Sequence, residues 1–211
     1  MSRDSNDFDV AVIGAGIVGC ASAFRLAEQG LRAVVIEREH APAMGSTGRS
    51  AAGVRLQFSD ETNVLMSAHS LAEYRQMPQA GYRPIGYLFF VPQEQWSSHC
   101  AAVPLQRRHG APVQVLSVAQ AAHIVPVDGS GLAGATWSAQ DGVLDPHGIC
   151  LHYAARARAL GARMVFGAEV TAIERGARDW EIQTRGERIR ATRVVNAAGA
   201  WSGRVAALAG L

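Results

Sequence analysis

The stretch Asp9–Glu37 constrains this chain more than any other. Asp9-Val10-Ala11-Val12-Ile13 is a short apolar run ending on Gly14, and it reads as a buried parallel strand. Gly14-Ala15-Gly16-Ile17-Val18-Gly19 follows at once. Ile17 to Gln29 reads as an alanine-rich helix closed by Gly30, and Leu31 to Ile36 as a second strand with Glu37 at its end. This order carries a mechanism. The first glycine permits a tight strand-to-helix turn, the second lets the backbone approach a pyrophosphate, and the third lets helix and strand pack closely. The helix N-terminus offers unpaired N–H groups and a partial positive charge to phosphates. Glu37, 18 residues past Gly19, stands where a carboxylate accepts hydrogen bonds from both ribose hydroxyls and repels a 2′-phosphate. Gly14, Ala15, Gly16, Ile17, Val18, Gly19, Glu37 and the adjoining Arg38 are therefore candidate dinucleotide-binding residues, and NADP is disfavoured.

Composition narrows the remaining classes. With 211 residues, 48% of them hydrophobic, the chain can bury a core. A formal net charge of +2, with no long like-charge block, gives no electrostatic footprint for nucleic acid or an anionic membrane. No unbroken run of about 18 apolar residues occurs, so no membrane span is expected. Cys20, Cys100 and Cys150 are odd in number and far apart. They read as buried or partly buried thiols rather than a disulfide framework or metal site. The polar start, Met1 to Asp9, lacks the basic opening of a signal peptide. A soluble, cytoplasmic protein without a metal is the expectation.

The segment after Glu37 separates the two common dinucleotides. Ala43 to Arg55 is rich in Gly, Ser and Ala, carries two arginines, and replaces the third Rossmann strand that would follow at the usual spacing. Small residues allow close backbone approach, and Ser, Thr and Arg supply donors for phosphate and flavin ring oxygens. The segment favours FAD over NAD and adds Gly45, Ser46, Thr47, Gly48, Arg49, Ser50, Ala51, Ala52 and Gly53 as candidates. An NAD-dependent dehydrogenase is the weaker alternative, and an ordinary flexible linker is the bland one.

Two later signatures extend the pattern: Asp141-Gly142-Val143-Leu144-Asp145-Pro146 and Val194-Val195-Asn196-Ala197-Ala198-Gly199-Ala200-Trp201-Ser202. With Val10–Glu37 and Gly45–Arg55 they run in order over nearly the whole chain. Together they resemble the FAD-dependent oxidoreductases of the D-amino-acid oxidase type, which include glycine oxidase, sarcosine oxidase and dimethylglycine dehydrogenase. The resemblance implies an α/β fold: a Rossmann-like FAD-binding domain over residues 1–78 and 142–211, with an incomplete α+β substrate domain over 79–141. It implies oxidation of the C–N bond of a small amine or amino acid, with hydride transfer to the flavin and an imine product. It also implies that Val170 meets the adenine through its backbone, and that Ala198 and Gly199 approach the FAD, with Trp201 at the crevice. From the residues alone, Val170 reads as a core valine and Trp201 equally as a core aromatic. Gly199, after a buried strand, has its own reason to be glycine. No His stands near Gly45–Arg55 where a covalent flavin link would form, so non-covalent FAD is expected. No catalytic residue is assigned.

The remaining elements read more loosely. Ser59 to about Met77 reads as a helix led by acids, Arg83–Val91 as a strand, and Glu94–His109 as a helix interrupted near Pro104. Val113–Leu116 and Leu132–Trp137 read as strands around a helix at Ser117–Ile124. Asp145 and Pro146 read as the start of a helix ending at Gly161. Arg163–Phe166, Glu169–Glu174, Trp180–Thr184, Arg188–Ala191 and Val194–Ala197 read as strands before a final helix at Ser202–Leu208. His147 and His152, five apart, do not make a metal pair. Asp141 in a turn and Asp145 at a helix cap are not read as an acid–base pair. Tyr87 and Phe89 share one strand face, toward either a substrate or packed helices. The resemblance implies a long further segment supplying most substrate-binding side chains. The chain is therefore expected to be truncated or partial, its partner a missing C-terminal half or second subunit. A catalytically inactive FAD- or ADP-binding remnant is the alternative.

Overall fold

The computed structural model describes residues 6–211. The chain opens with β1 (Asp7–Ile13), α1 (Ile17–Glu28) and β2 (Ala33–Ile36). Next come β3 (Gly53–Val54), α2 (Glu61–Arg75), β4 (Tyr87–Pro92), α3 (Trp96–Ala101), α4 (Val103–Arg108), β5 (Val113–Leu116), α5 (Val118–Ala122), β6 (Leu132–Ser138) and β7 (Gly142–Val143). It closes with α6 (Pro146–Ala159), β8 (Arg163–Val165), β9 (Val170–Arg175), β10 (Trp180–Thr184), β11 (Arg188–Asn196) and α7 (Ser202–Leu208). These elements form two compact units, Met1–Ser50 with Pro146–Leu211, and Ala51–Asp145.

The first unit is an α/β fold on a six-stranded sheet of order β8-β2-β1-β11-β10-β9. β1 pairs parallel with β2 and with β11, and β2 pairs parallel with β8. Val10 to Ile13 and Ala33 to Ile36 are buried throughout, as strands covered on both faces require. On one face α1 packs against α6, with the Phe24 and Tyr153 rings 5.7 Å apart. The other core holds Phe8, Ile13, Ile36, Ile173, Ile182 and Ile189, with Val205 of α7 packed against it. The third Rossmann position is not vacant: β8, from far along the chain, fills it beside β2. The predicted strands Arg188–Ala191 and Val194–Ala197 are one strand, because β11 pairs with β1 from Asp7–Arg190 to Ile13–Asn196.

The second unit is smaller and antiparallel. β4, β6 and β5 form one sheet in that order, and β3 pairs with β7. Asp60 caps α2 by accepting the Asn63 N–H at 2.9 Å, and Ser117 and Gln120 form a reciprocal capping box on α5. The compact units divide at Ser50/Ala51, earlier than the expected 78/79. The reason is α2, whose Leu71 is buried with Leu56, Val103, Ala111 and Val113 of the second unit. The predicted strand from Arg83 is corrected to a start at Tyr87. Gly86 takes φ +79°, with the Trp137 ring where a Cβ would stand, and Arg83 forms only an isolated bridge with Val143. Leu71 is 1% exposed, so Leu71→Ala is expected to lower stability by about 2–5 kcal/mol, measurable by urea denaturation.

Candidate functional site

A cavity of about 570 Å³ opens in the first unit, above the ends of β1, β2 and β11. Its floor is the turn from β1 into α1. Gly14 takes φ +106°, and a Cβ there would stand 2.5 Å from the Ala197 carbonyl oxygen. A Cβ on Gly19 would stand 1.8 Å from the Gly14 carbonyl oxygen, so only glycine lets α1 lie this close to β1. Gly16 caps α1 with extended backbone and no side-chain cap, leaving the helix entrance open to a ligand. Thr47 accepts the Ile17 N–H at 3.0 Å and so pins the Gly45–Thr47 segment beside that entrance.

Glu37 is placed by the backbone on both sides. One carboxylate oxygen accepts the Ala15 N–H at 2.6 Å, the other the Glu39 N–H at 2.9 Å. A carboxylate has about four acceptor positions, so each oxygen keeps a lone pair for a vicinal diol. Beside it the Arg38 guanidinium lies 3.9 Å from the centroid of the Trp201 ring, and its Nε donates to Glu39 at 3.0 Å. The turn after β11 is ordered by Asn196, whose side chain donates to the Ser202 carbonyl at 2.8 Å and accepts the Ala198 N–H at 3.3 Å.

Many of the predicted residues therefore meet in one place. Gly14, Gly16, Ile17, Val18, Glu37, Arg38, Gly45, Ser46, Thr47, Val170, Ala198, Gly199 and Trp201 all line this cavity. Ala15 is buried beneath it and acts through Glu37. Gly19 lies behind the helix entrance. Gly48 packs against the His147 ring, and Arg49 and Ser50 are exposed. Ala51, Ala52 and Gly53 belong to the second unit. Sequence reasoning missed Met44, Thr171, Arg204, Val205 and Leu208, which also line the cavity. The last three follow the Val194–Ser202 signature on α7, where one arginine and two aliphatic residues give no signal of a ligand.

The thiols take no part in the lining. Cys20 and Cys150 are free and buried with their sulfurs 3.6 Å apart, both directed at the Ala15 carbonyl, and Cys100 is half-buried. The hydrogen bond to Cys150, together with burial, pushes the Cys20 thiol up. Among the described residues no group of His, Cys, Asp and Glu could hold a metal ion, and no helix is long and apolar enough to cross a membrane.

A second cavity, of about 500 Å³, lies in the second unit. Gly53, Val54, Arg55, Phe58 and Tyr87 line one side. Asn63, Met66, Ser67 and Ser70, a single stripe of α2, line the other. The Arg55 guanidinium sits 4.9 Å from the Phe58 ring, 5.5 Å from Phe89 and 6.0 Å from Tyr87. Among the described residues it makes no ion pair. Tyr87 and Phe89 thus form an aromatic platform for a cation. Asp141, read from sequence as a turn residue, is instead a fully buried carboxylate in this unit. It accepts hydrogen bonds from the Leu56 N–H at 3.0 Å, the Ser138 hydroxyl at 2.9 Å and the Gln57 amide at 3.2 Å. Burial pushes its carboxyl above the ordinary range, opposed by these bonds and by the charge of Arg55.

The first cavity can hold an adenosine diphosphate: an acid for the ribose diol, an open helix entrance for the diphosphate, and glycines where the backbone must approach. The second offers a cation on an aromatic platform with hydroxyls opposite, which suits a small anion with an apolar body. Comparison with known proteins gives the family. The family described as DAO, FAD dependent oxidoreductase, matches residues 9–211. "FAD-dependent oxidoreductase domain-containing protein 1" of Bos taurus is 29% identical over 96% of this chain and 49% of its own length. The crystal structure of L-proline dehydrogenase from P. horikoshii superposes with a TM-score of 0.86 at 31% identity, covering 98% of this chain and 56% of that one. Glycine oxidase from Geobacillus kaustophilus superposes at 0.81 with 26% identity, covering 98% and 59%. The chain spans about half the length of each of these three proteins. A glycine cradle beneath an acid-tipped second strand, matched from residue 9 to residue 211, places the chain in the DAO family of FAD-dependent oxidoreductases.

Proposed function

We propose that this chain binds FAD non-covalently in the first-unit cavity and serves the oxidation of the C–N bond of a small amino acid. The observation that carries the substrate class is Arg55, a cation without an ion pair among the described residues, in a cavity large enough for an amino acid. Glu37 would hold the ribose diol, and Gly14 to Val18 would face the diphosphate at the entrance of α1. The backbone of Val170 would face the adenine, and Ala198, Gly199 and Trp201 would close the crevice. FAD supplies the hydride acceptor when bound, and the protein binds and orients the partners. Arg55 would hold the substrate carboxylate by charge-assisted hydrogen bonds, leaving the amine and its α-carbon free. The α2 stripe of Asn63, Ser67 and Ser70 would present polar groups to the amine end.

The reading predicts a selective loss. Arg55→Met should weaken binding of an amino acid such as L-proline about 10- to 100-fold, the worth of a charge-assisted contact. Binding of the decarboxylated amine, pyrrolidine, should hardly change. Titration of each ligand against the bound-flavin absorption spectrum measures both. Equal loss for acid and amine, or no loss for either, would remove Arg55 from the substrate site.

A further inference from the structure

The carboxylate of Asp141 does more than fasten two strands together. We propose that Asp141 is a positioning residue for the anion site: it fixes Arg55 and the aromatic platform behind it in one geometry. The inference rests on the reading of Arg55 as a carboxylate anchor. It adds the group that makes that arginine selective.

Three observations carry it. First, Asp141 grips the chain one residue past Arg55, through the Leu56 N–H at 3.0 Å. Second, it reaches the platform through Gln57. The Gln57 amide nitrogen donates both to Asp141 at 3.2 Å and to the Tyr87 carbonyl at 2.9 Å. Asp141 also accepts the Gly86 N–H on its own carbonyl at 2.8 Å, just before Tyr87. Cation and platform are thus tied to one buried side chain. Third, that side chain is a carboxyl group, a costlier choice for burial than a purely structural link needs. It is 0% exposed, and burial favours its neutral form. The hydrogen bonds from Gln57, Ser138 and Leu56 oppose that burial first, and the positive charge of Arg55 adds to them.

The Gln57 bridge also explains why an amide would be a poor replacement. In Asp141→Asn, the new Nδ2 would face the Gln57 amide nitrogen, donor against donor. Turning Gln57 over would bring its Oε1 to the new donor but set it against the Tyr87 carbonyl. Gln57 Oε1 is already buried without a partner, so its orientation is fixed by the nitrogen alone. Either way, one tie to the platform is released.

A double-mutant cycle on the full 211-residue chain tests this, with benzoate and benzamide as matched charged and neutral probes read by ligand-observed NMR. The native chain should prefer benzoate by about tenfold or more, and Arg55→Met should abolish the preference. Asp141→Asn should reduce the preference at least about threefold, yet change benzoate affinity little when Arg55 is already Met. Gln57→Leu, which leaves the carboxylate in place, should reproduce part of that loss and serves if Asp141→Asn does not fold. Equal weakening of benzoate and benzamide, or the same effect of Asp141→Asn in both backgrounds, would make Asp141 merely structural and overturn the proposal. A native chain that shows no preference would overturn it together with the role of Arg55. A native chain that prefers benzoate but retains no FAD would end the flavoenzyme reading and leave this inference standing.

Discussion

A Gly19→Ala chain is expected to lose FAD binding and to melt at least about 10 °C below the native protein. The added Cβ would lie 1.8 Å from the Gly14 carbonyl oxygen and 3.0 Å from its carbon. Both atoms are backbone, fixed by the tight turn at Gly14 and by the buried strand before it. No side chain can swing aside, so α1 must lift from β1. Overpacking in a core costs about 1–3 kcal/mol when neighbours can shift. Against immovable backbone the cost should exceed about 4 kcal/mol, in the range reserved for named structural failures. The same displacement would carry away the helix entrance that faces the diphosphate. A thermal scan and a flavin titration check the two halves separately. Gly30→Ala is the control: a Cβ there meets nothing within 4 Å, though the left-handed backbone at φ +76° carries its own smaller cost.

Glu37→Arg should have the second largest effect. It removes two acceptors that hold the Ala15 and Glu39 N–H groups and the acceptors offered to the ribose diol. Each charge-assisted hydrogen bond is worth about 1.5–3 kcal/mol. Losing those to the diol should weaken FAD binding by about two orders of magnitude, with some loss of stability from the freed backbone donors. Glu37→Gln should be milder, because its one oxygen can still serve one backbone N–H. Flavin titration by fluorescence quenching orders the three proteins. An affinity unchanged in Glu37→Arg would show that the acid does not hold the ribose.

The pattern of what could be read ahead follows from locality. Asp9 to Glu37 is a strand, turn, helix and strand in succession, so its geometry is set by neighbouring residues, and the structure reproduces it within a few positions. The late signature at Val194 places Ala198, Gly199 and Trp201 at the same cavity, although nearly the whole chain separates them from Gly14. Only the resemblance, not the spacing, linked those ends. Val170 is the sharper case: its side chain reads as core, and it is half-buried and lines the cavity. What escaped the sequence depends on distant pairing. β8 completes the parallel sheet beside β2 after the whole second unit has intervened. Asp141 looks like an ordinary turn acid until residues 56, 57 and 138 close around it. Arg55 was read only as one of two arginines in a loop rich in Gly, Ser and Ala, and its aromatic platform comes from β4, more than thirty residues later.

The most direct test of the central claim is the visible absorption spectrum of the purified chain, recorded after FAD is added and the protein is desalted. A flavin spectrum that stays with the protein, with its bands shifted from those of free FAD and lost on denaturation, is the expected result. A folded chain that passes through desalting colourless, with FAD recovered in the salt fraction, would contradict the account.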